Sequence, residues 1–219
     1  LVEEVSKQPF FLGRLFGTPR VQSLALDADL LITTYIEDAV FSAQSAHSIV
    51  FEPIRQSVKK DLFGMQWEQQ QTQNEIALKI VKTEEDFWDD IVTYLRNDFL
   101  TKKVADALVS RSVVFYIGCL IEKARIREQK QYNKKDIFSD PKRAVRRIQG
   151  DIQVMKNFFA KIALGMPALS RVIEKEFAPL VAVYECMSIA VGVSDAAVCD
   201  FAVVLHKLTG EFNVTRSLL

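Results

Sequence analysis

Five acids crowd one short stretch of the chain: Glu84, Glu85, Asp86, Asp89 and Asp90. Carboxylates four residues apart on a helix project together, and such a cluster suits a hard cation such as magnesium. The order here is D-x-x-D-D, whereas all-helical prenyl-chain enzymes use D-D-x-x-D, and no second acidic motif accompanies it. A solvated helix N-terminus explains the same residues, because acids are stabilised at the positive end of the helix dipole. His47 and His206 are the only histidines. A pair made from Cys186 or Cys199 with His206 would need an orienting third group and an exposed thiolate; both cysteines lie among core-type residues and read as buried thiols. Asp27-Ala-Asp29 matches the short acidic signature of sugar-nucleotide transferases, but without the preceding strand. Gly13 and Gly17 have the spacing of a membrane helix-dimer motif, yet Arg14 lies between them. No glycine-rich phosphate loop occurs. The expectation is a chain with no catalytic residue, no metal and no cofactor.

One local field stands out. Lys123, Arg125, Arg127, Lys130, Lys134, Lys135, Lys142, Arg143, Arg146 and Arg147 face only Glu128, Asp136 and Asp140 in the same stretch. Arg143, Arg146 and Arg147 are expected to share a helix face turned away from most of the apolar seam. That makes them the candidate interaction surface, suited to an acidic partner helix or phospholipid headgroups; solvated helix surface is the plainer reading. Only Tyr132 and Phe138 are aromatic in this stretch, too few to stack on a run of bases, which argues against nucleic acid. Over the whole chain 28 basic residues balance 28 acidic ones, so no global field draws the molecule to a polyanion.

These side chains need elements to carry them. Glycine (8) and proline (6) are scarce in 219 residues, and no stretch alternates apolar and polar residues over a strand's length. Helices throughout are the consequence. Residues 1–20, with Pro9, Gly13, Gly17 and Pro19, read as irregular. A helical region runs from Ser23 towards Gly64, bent or broken before Pro53. Thr83 with Asp86 three residues on resembles a capping box, so a helix should start there, and Thr101 can cap the next. Asp140-Pro141 is a cap followed by proline at the first helical position. From there Val145, Ile148, Ile152, Met155, Phe159 and Ile162 alternate spacings of three and four, the seam of a helix packed lengthwise on neighbours. Gly165 ends it. Pro167 opens another, Pro179 kinks or divides that one, Gly192 closes it, and Ser194 caps a last helix towards Gly210.

The three cysteines, Cys119, Cys186 and Cys199, lack metal-type spacing and read as reduced core thiols, which suits the cytosol. The longest apolar run, residues 178–193, contains Glu185 and is shorter than the ~20 residues of a membrane-spanning helix. With no signal-like start, the expectation is a soluble, intracellular fragment of a longer chain.

Read in order, several segments resemble the C-terminal half of the sec-six subunit of the exocyst, exocyst complex component three. Phe63 with Trp67 is similar to that family's aromatic pair. Thr83-Glu84-Glu85-Asp86-Phe87-Trp88 is similar to its T-x-E-D-aromatic segment, with Asp89 and Asp90 beyond. Arg111 to Ile117, followed by Lys123, resembles its R-x-V-V-x-Y helix. Phe158 to Gly165 resembles its F-x-K-x-A-x-G helix end, with Phe177 beyond. The linker Gln129 to Asp140 is longer and richer in lysine than in the animal proteins, and the first 50 residues match nothing in the family. The resemblance spans about residues 60–210.

It implies an all-α fold of tandem helical bundles forming a rod, as in multisubunit tethering complexes, divided as 1–20 irregular, 21–137 one bundle and 138–219 a second. It also implies a non-enzymatic role in capturing secretory vesicles at the plasma membrane, with other exocyst subunits and SNARE proteins as partners, possible contact with anionic membrane, and neither nucleic acid nor a small-molecule substrate. The competing readings are a metal-dependent helical enzyme using the acidic cluster and a general helical adaptor.

Overall fold

Few glycines and prolines leave few places for a helix to stop, and the computed structural model, which describes residues 19–69, 74–130 and 137–192, is helical wherever it forms a regular element. In chain order the helices are α1 (Pro19–Val58), α2 (Met65–Gln69), α3 (Glu75–Tyr94), α4 (Asp98–Lys130), α5 (Pro141–Gly165) and α6 (Leu169–Ala190). The chain forms two compact units, Leu1–Ala46 and His47–Leu219. The described part of the first is residues 19–46 of α1; the rest belongs to the second.

The division therefore does not fall at 137/138. α5 packs on α3 and α6, α6 packs also on α4, and hydrogen bonds from Trp67 and Tyr116 to Asp151 cross the expected boundary. A break in sequence polarity marks a linker, but a linker can join two halves of one core. The irregular segment expected over 1–20 lies outside the described residues except its last two, which already belong to α1. The last helix expected from Ser194, half of the basic linker (131–136), Cys199 and His206 also lie outside them.

α1 does not break before Pro53. Proline in a helix interior costs about 3 kcal/mol, but Pro53 is exposed while Val50, Ile54 and Val58 are buried to 2% or less exposure. Each such burial contributes about 1.5–3 kcal/mol, so the flanks outweigh the lost hydrogen bond. α6 runs through Pro179 for the same reason, with Phe177, Leu180 and Val183 buried around it.

Two expected caps are displaced. Thr83 lies inside α3, its hydroxyl donating to Lys79 O at 3.0 Å. α4 is capped by Asn97, whose Oδ1 accepts from Leu100 N at 3.0 Å, while Thr101 Oγ1 donates back to Leu95 O. Asp140 caps α5 as expected, accepting from Arg143 N at 3.0 Å with Pro141 in the first turn, and all six seam residues are buried. Gly192, at φ +64°, takes the left-handed turn after α6 and donates to Ile189 O.

Asp98–Arg125 within α4 is long and apolar enough to cross a membrane, yet half of its apolar window is buried inside the fold. Cys119 and Cys186 are free, buried thiols. Burial pushes the Cys119 thiol up to about 11 and raises Cys186 as well, so neither supplies a thiolate at neutral pH.

Candidate functional site

The second unit is organised around one buried carboxylate. Asp151 lies on the inner side of α5, fully buried. Its Oδ2 accepts from Trp67 Nε1 of α2 at 2.9 Å and from Tyr116 OH of α4 at 2.7 Å. Its Oδ1 accepts from Nδ2 of Asn74, the residue before α3, at 2.6 Å. The second Asn74 amide proton goes to Arg147 O at 2.9 Å. A Cβ on Gly150 would lie 2.5 Å from Asn74 Nδ2, so a glycine is what lets this amide lie across α5. The Arg147 guanidinium stands 5.4 Å from the Trp67 ring centroid and brings positive charge towards Asp151.

The titration directions follow from this enclosure. Burial raises the Asp151 carboxyl above its ordinary value, against the pull of Tyr116, Trp67, Asn74 and Arg147. Burial, then the Asp151 charge, sends the Tyr116 phenol well above its usual range. Burial lowers the Arg147 guanidinium while Asp151 opposes the shift. A carboxylate with three donors and a nearby cation is satisfied, and its geometry suits cross-linking of helices.

An aromatic cluster surrounds it. Phe63 meets Trp67 at 4.9 Å and Tyr116 at 5.0 Å edge to face, and Phe138 closes on both Phe63 and Trp67. Phe63 has φ +60°, a conformation costly for a bulky side chain. It is held by these rings and by Lys123 Nζ, which donates to Phe63 O at 2.6 Å. Lys123 also pairs with Glu68 Oε1 at 3.0 Å, and Ser139 donates to Glu68 Oε2 from both its N–H and its hydroxyl. Burial pushes Glu68 up, but Ser139 and Lys123 together bring it below the ordinary carboxylate value.

The arginine surface is not a single face. Arg147 is 9% exposed and lies over Trp67; Arg143 is half-buried and donates to Gln69 O at 2.8 Å; only Arg146 is exposed. Positions 143 and 147 are four apart and stack on one side of α5, and that side meets the segment around α2. Lys142 and Arg125, elsewhere in the basic stretch, are exposed too. Asp151 escaped the sequence reading, although it sits one residue before Ile152 in the seam. A carboxylate on the inner side of so regular a helix was the available signal that a partner set existed.

The acidic cluster divides as well. Asp86, Asp89 and Asp90 are exposed, but Glu84 is fully buried against Ser112 of α4. Burial pushes Glu84 up to about 8, against the Ser112 hydrogen bond. Ser112 Oγ also donates to Leu108 O at 2.7 Å. One hydroxyl proton cannot serve two acceptors, so a protonated Glu84 giving its proton to Ser112, which gives its own to Leu108, satisfies the geometry. Among the described residues no group of three His, Cys, Asp or Glu is placed to hold a metal ion.

The sign of the pH effect follows. Below pH 4.5 Glu84 is protonated folded or unfolded and adds no dependence. Between there and about 8 the folded chain keeps a proton that the unfolded chain releases, so stability falls as pH rises. Above about 8 the penalty is complete. Glu84→Gln is therefore expected to flatten the stability–pH slope between about pH 5 and 8 by about one proton, as read by urea unfolding at several pH values; equal slopes in both chains would contradict a buried, protonated Glu84.

No protein-family model, curated protein or solved structure matches the chain.

Proposed function

We propose that the chain is a non-enzymatic scaffold of a vesicle-tethering complex of the exocyst type, a cytoplasmic protein recruited to plasma-membrane sites of secretion, where it contacts other subunits and SNARE proteins. In that setting its helices form part of a rod of tandem bundles. The observation that carries the reading is that segments bearing the resemblance are joined by side chains within one core. Phe63 packs on both Trp67 and Tyr116, and Glu84 meets Ser112. Phe63, Trp67 and Tyr116, which mark the family pattern, thus fix helix against helix, as a scaffold requires.

The test is co-purification of the tagged chain from cells, with its partners measured by mass spectrometry. Enrichment of tethering subunits and plasma-membrane SNARE proteins is expected; a partner set unrelated to secretion would overturn the proposal. The exposed remainder of the basic surface gives a second test. Each basic residue near an anionic surface contributes about 1 kcal/mol, so Lys142→Glu with Arg146→Glu should weaken binding to phosphatidylserine vesicles on the order of tenfold or more. Circular dichroism should be unchanged, because both side chains are exposed. Equal vesicle binding would remove these two residues from any membrane-facing role.

A further inference from the structure

Two surfaces of the chain are complementary. In the first unit, positions 27, 30, 31, 34, 37, 38 and 41 recur three or four apart and so share one side of α1. That side shows Leu30, Leu31 and Phe41 at 67%, 71% and 72% exposure, interleaved with the exposed acids Asp27, Glu37 and Asp38. No lysine or arginine occurs between residues 21 and 46, and among the described residues these three acids have no ion pair. Large apolar side chains left in water beside unpaired acids are the pattern of a helix that docks.

In the second unit, α1 and α4 enclose an open depression. Its floor is Phe51 and Phe115, rings 6.0 Å apart, with Val114 at 56% exposure beside them. Its rim carries Arg55 and Arg111. Arg55 is paired with Glu52 of its own helix at 2.6 Å, whereas Arg111 has no ion pair among the described residues. One turn beyond Val114, a Cβ on Gly118 would meet nothing within 4 Å, so a second helix can approach the α4 backbone closely there.

We propose that the acidic stripe of one copy of this chain docks into the α1–α4 depression of a second copy, so that the protein is a homodimer. Leu30 and Phe41 cover the Phe51, Val114 and Phe115 floor, and Asp38 or Glu37 meets Arg111. Charge selects this occupant: an all-acidic stripe is repelled by anionic lipid and matches a rim whose one unpaired charge is positive. A two-fold axis makes the contact reciprocal, so both stripes and both depressions are filled at once. The inference is independent of the tethering proposal, since it uses only these two surfaces.

Sedimentation velocity of the full chain across micromolar concentrations tests it. A monomer–dimer equilibrium that weakens with added salt is expected. Arg111→Glu and Asp38→Lys should each weaken dimerisation about tenfold or more, with helicity unchanged because both positions are exposed. Mixing the two variants should restore the dimer: the glutamate introduced into one chain then faces the lysine introduced into the other, and the second, symmetry-related contact is native. A monomer at every concentration, a dimer indifferent to both substitutions, or a mixture that fails to recover would each overturn the proposal.

Discussion

Replacing Asp151 with alanine is expected to lower the unfolding free energy by about 3–5 kcal/mol, the range for removing one partner from a buried charged network. The substitution strands Trp67 Nε1, Tyr116 OH and the Asn74 amide, each of which has its acceptor on this carboxylate. It also removes the Asp151 charge that opposes the cost of burying the Arg147 guanidinium. Tyr116→Phe is the control. It deletes a single donor and leaves Asp151 two others, so a loss of about 1 kcal/mol is expected. Urea titration followed by circular dichroism separates the two, with a lower midpoint and an unchanged slope for Asp151→Ala. A loss below that of the tyrosine variant would show that Asp151 does not hold the junction.

Trp67→Ala should cost a similar amount, about 3–5 kcal/mol, through a different route. Trp67 is fully buried among Phe63, Phe138 and Arg147. It sits on α2, a helix of five residues that is far too short to be stable by itself. Without the indole, residues 63–69 lose their largest buried side chain and are held by the Phe63 ring contacts, the Lys123 and Ser139 contacts to Phe63 and Glu68, and the Arg143 bond to Gln69 O. Hydrogen exchange should therefore rise first in that segment and only later in α4 and α5. Trp67→Phe keeps much of the volume but loses the donor to Asp151, and should fall between alanine and the native residue. Uniform exchange throughout the unit after Trp67→Ala would contradict the anchoring role.

Local chemistry was readable in the sequence wherever it decided the structure alone. Asp140 and Pro141 start α5 because a carboxylate cap and a fixed φ act on their own neighbours. The α5 seam was readable because its period is regular and every member is buried. Thr83 and Thr101 misled because a capping pattern says nothing of whether the preceding residues are already helical: apolar Ile76, Ala77 and Ile80 extend α3 back to Glu75. Pro53 and Pro179 misled because burial on both flanks outweighs a missing hydrogen bond.

The junction was hidden for a different reason. Trp67, Asn74, Tyr116 and Asp151 lie up to 84 residues apart, and no short-range pattern connects them. Arg147 read as surface because its charge ordinarily belongs there; the ring of Trp67 and the carboxylates of Asp151 and Glu75 help make its burial tolerable. Glu84 belonged by spacing to a solvated acidic cluster, and it turns inward because Ser112 meets it from α4.

That one carboxylate ties α2, α3, α4 and α5 into a single cooperative unit is tested most directly by a double-mutant cycle in urea. The chains compared are native, Asp151→Ala, Trp67→Phe and the double variant. A coupling of about 1–3 kcal/mol, with all four chains unfolding in one transition, is the expected result. Additive losses, or a separate earlier transition for α5 and α6, would contradict it.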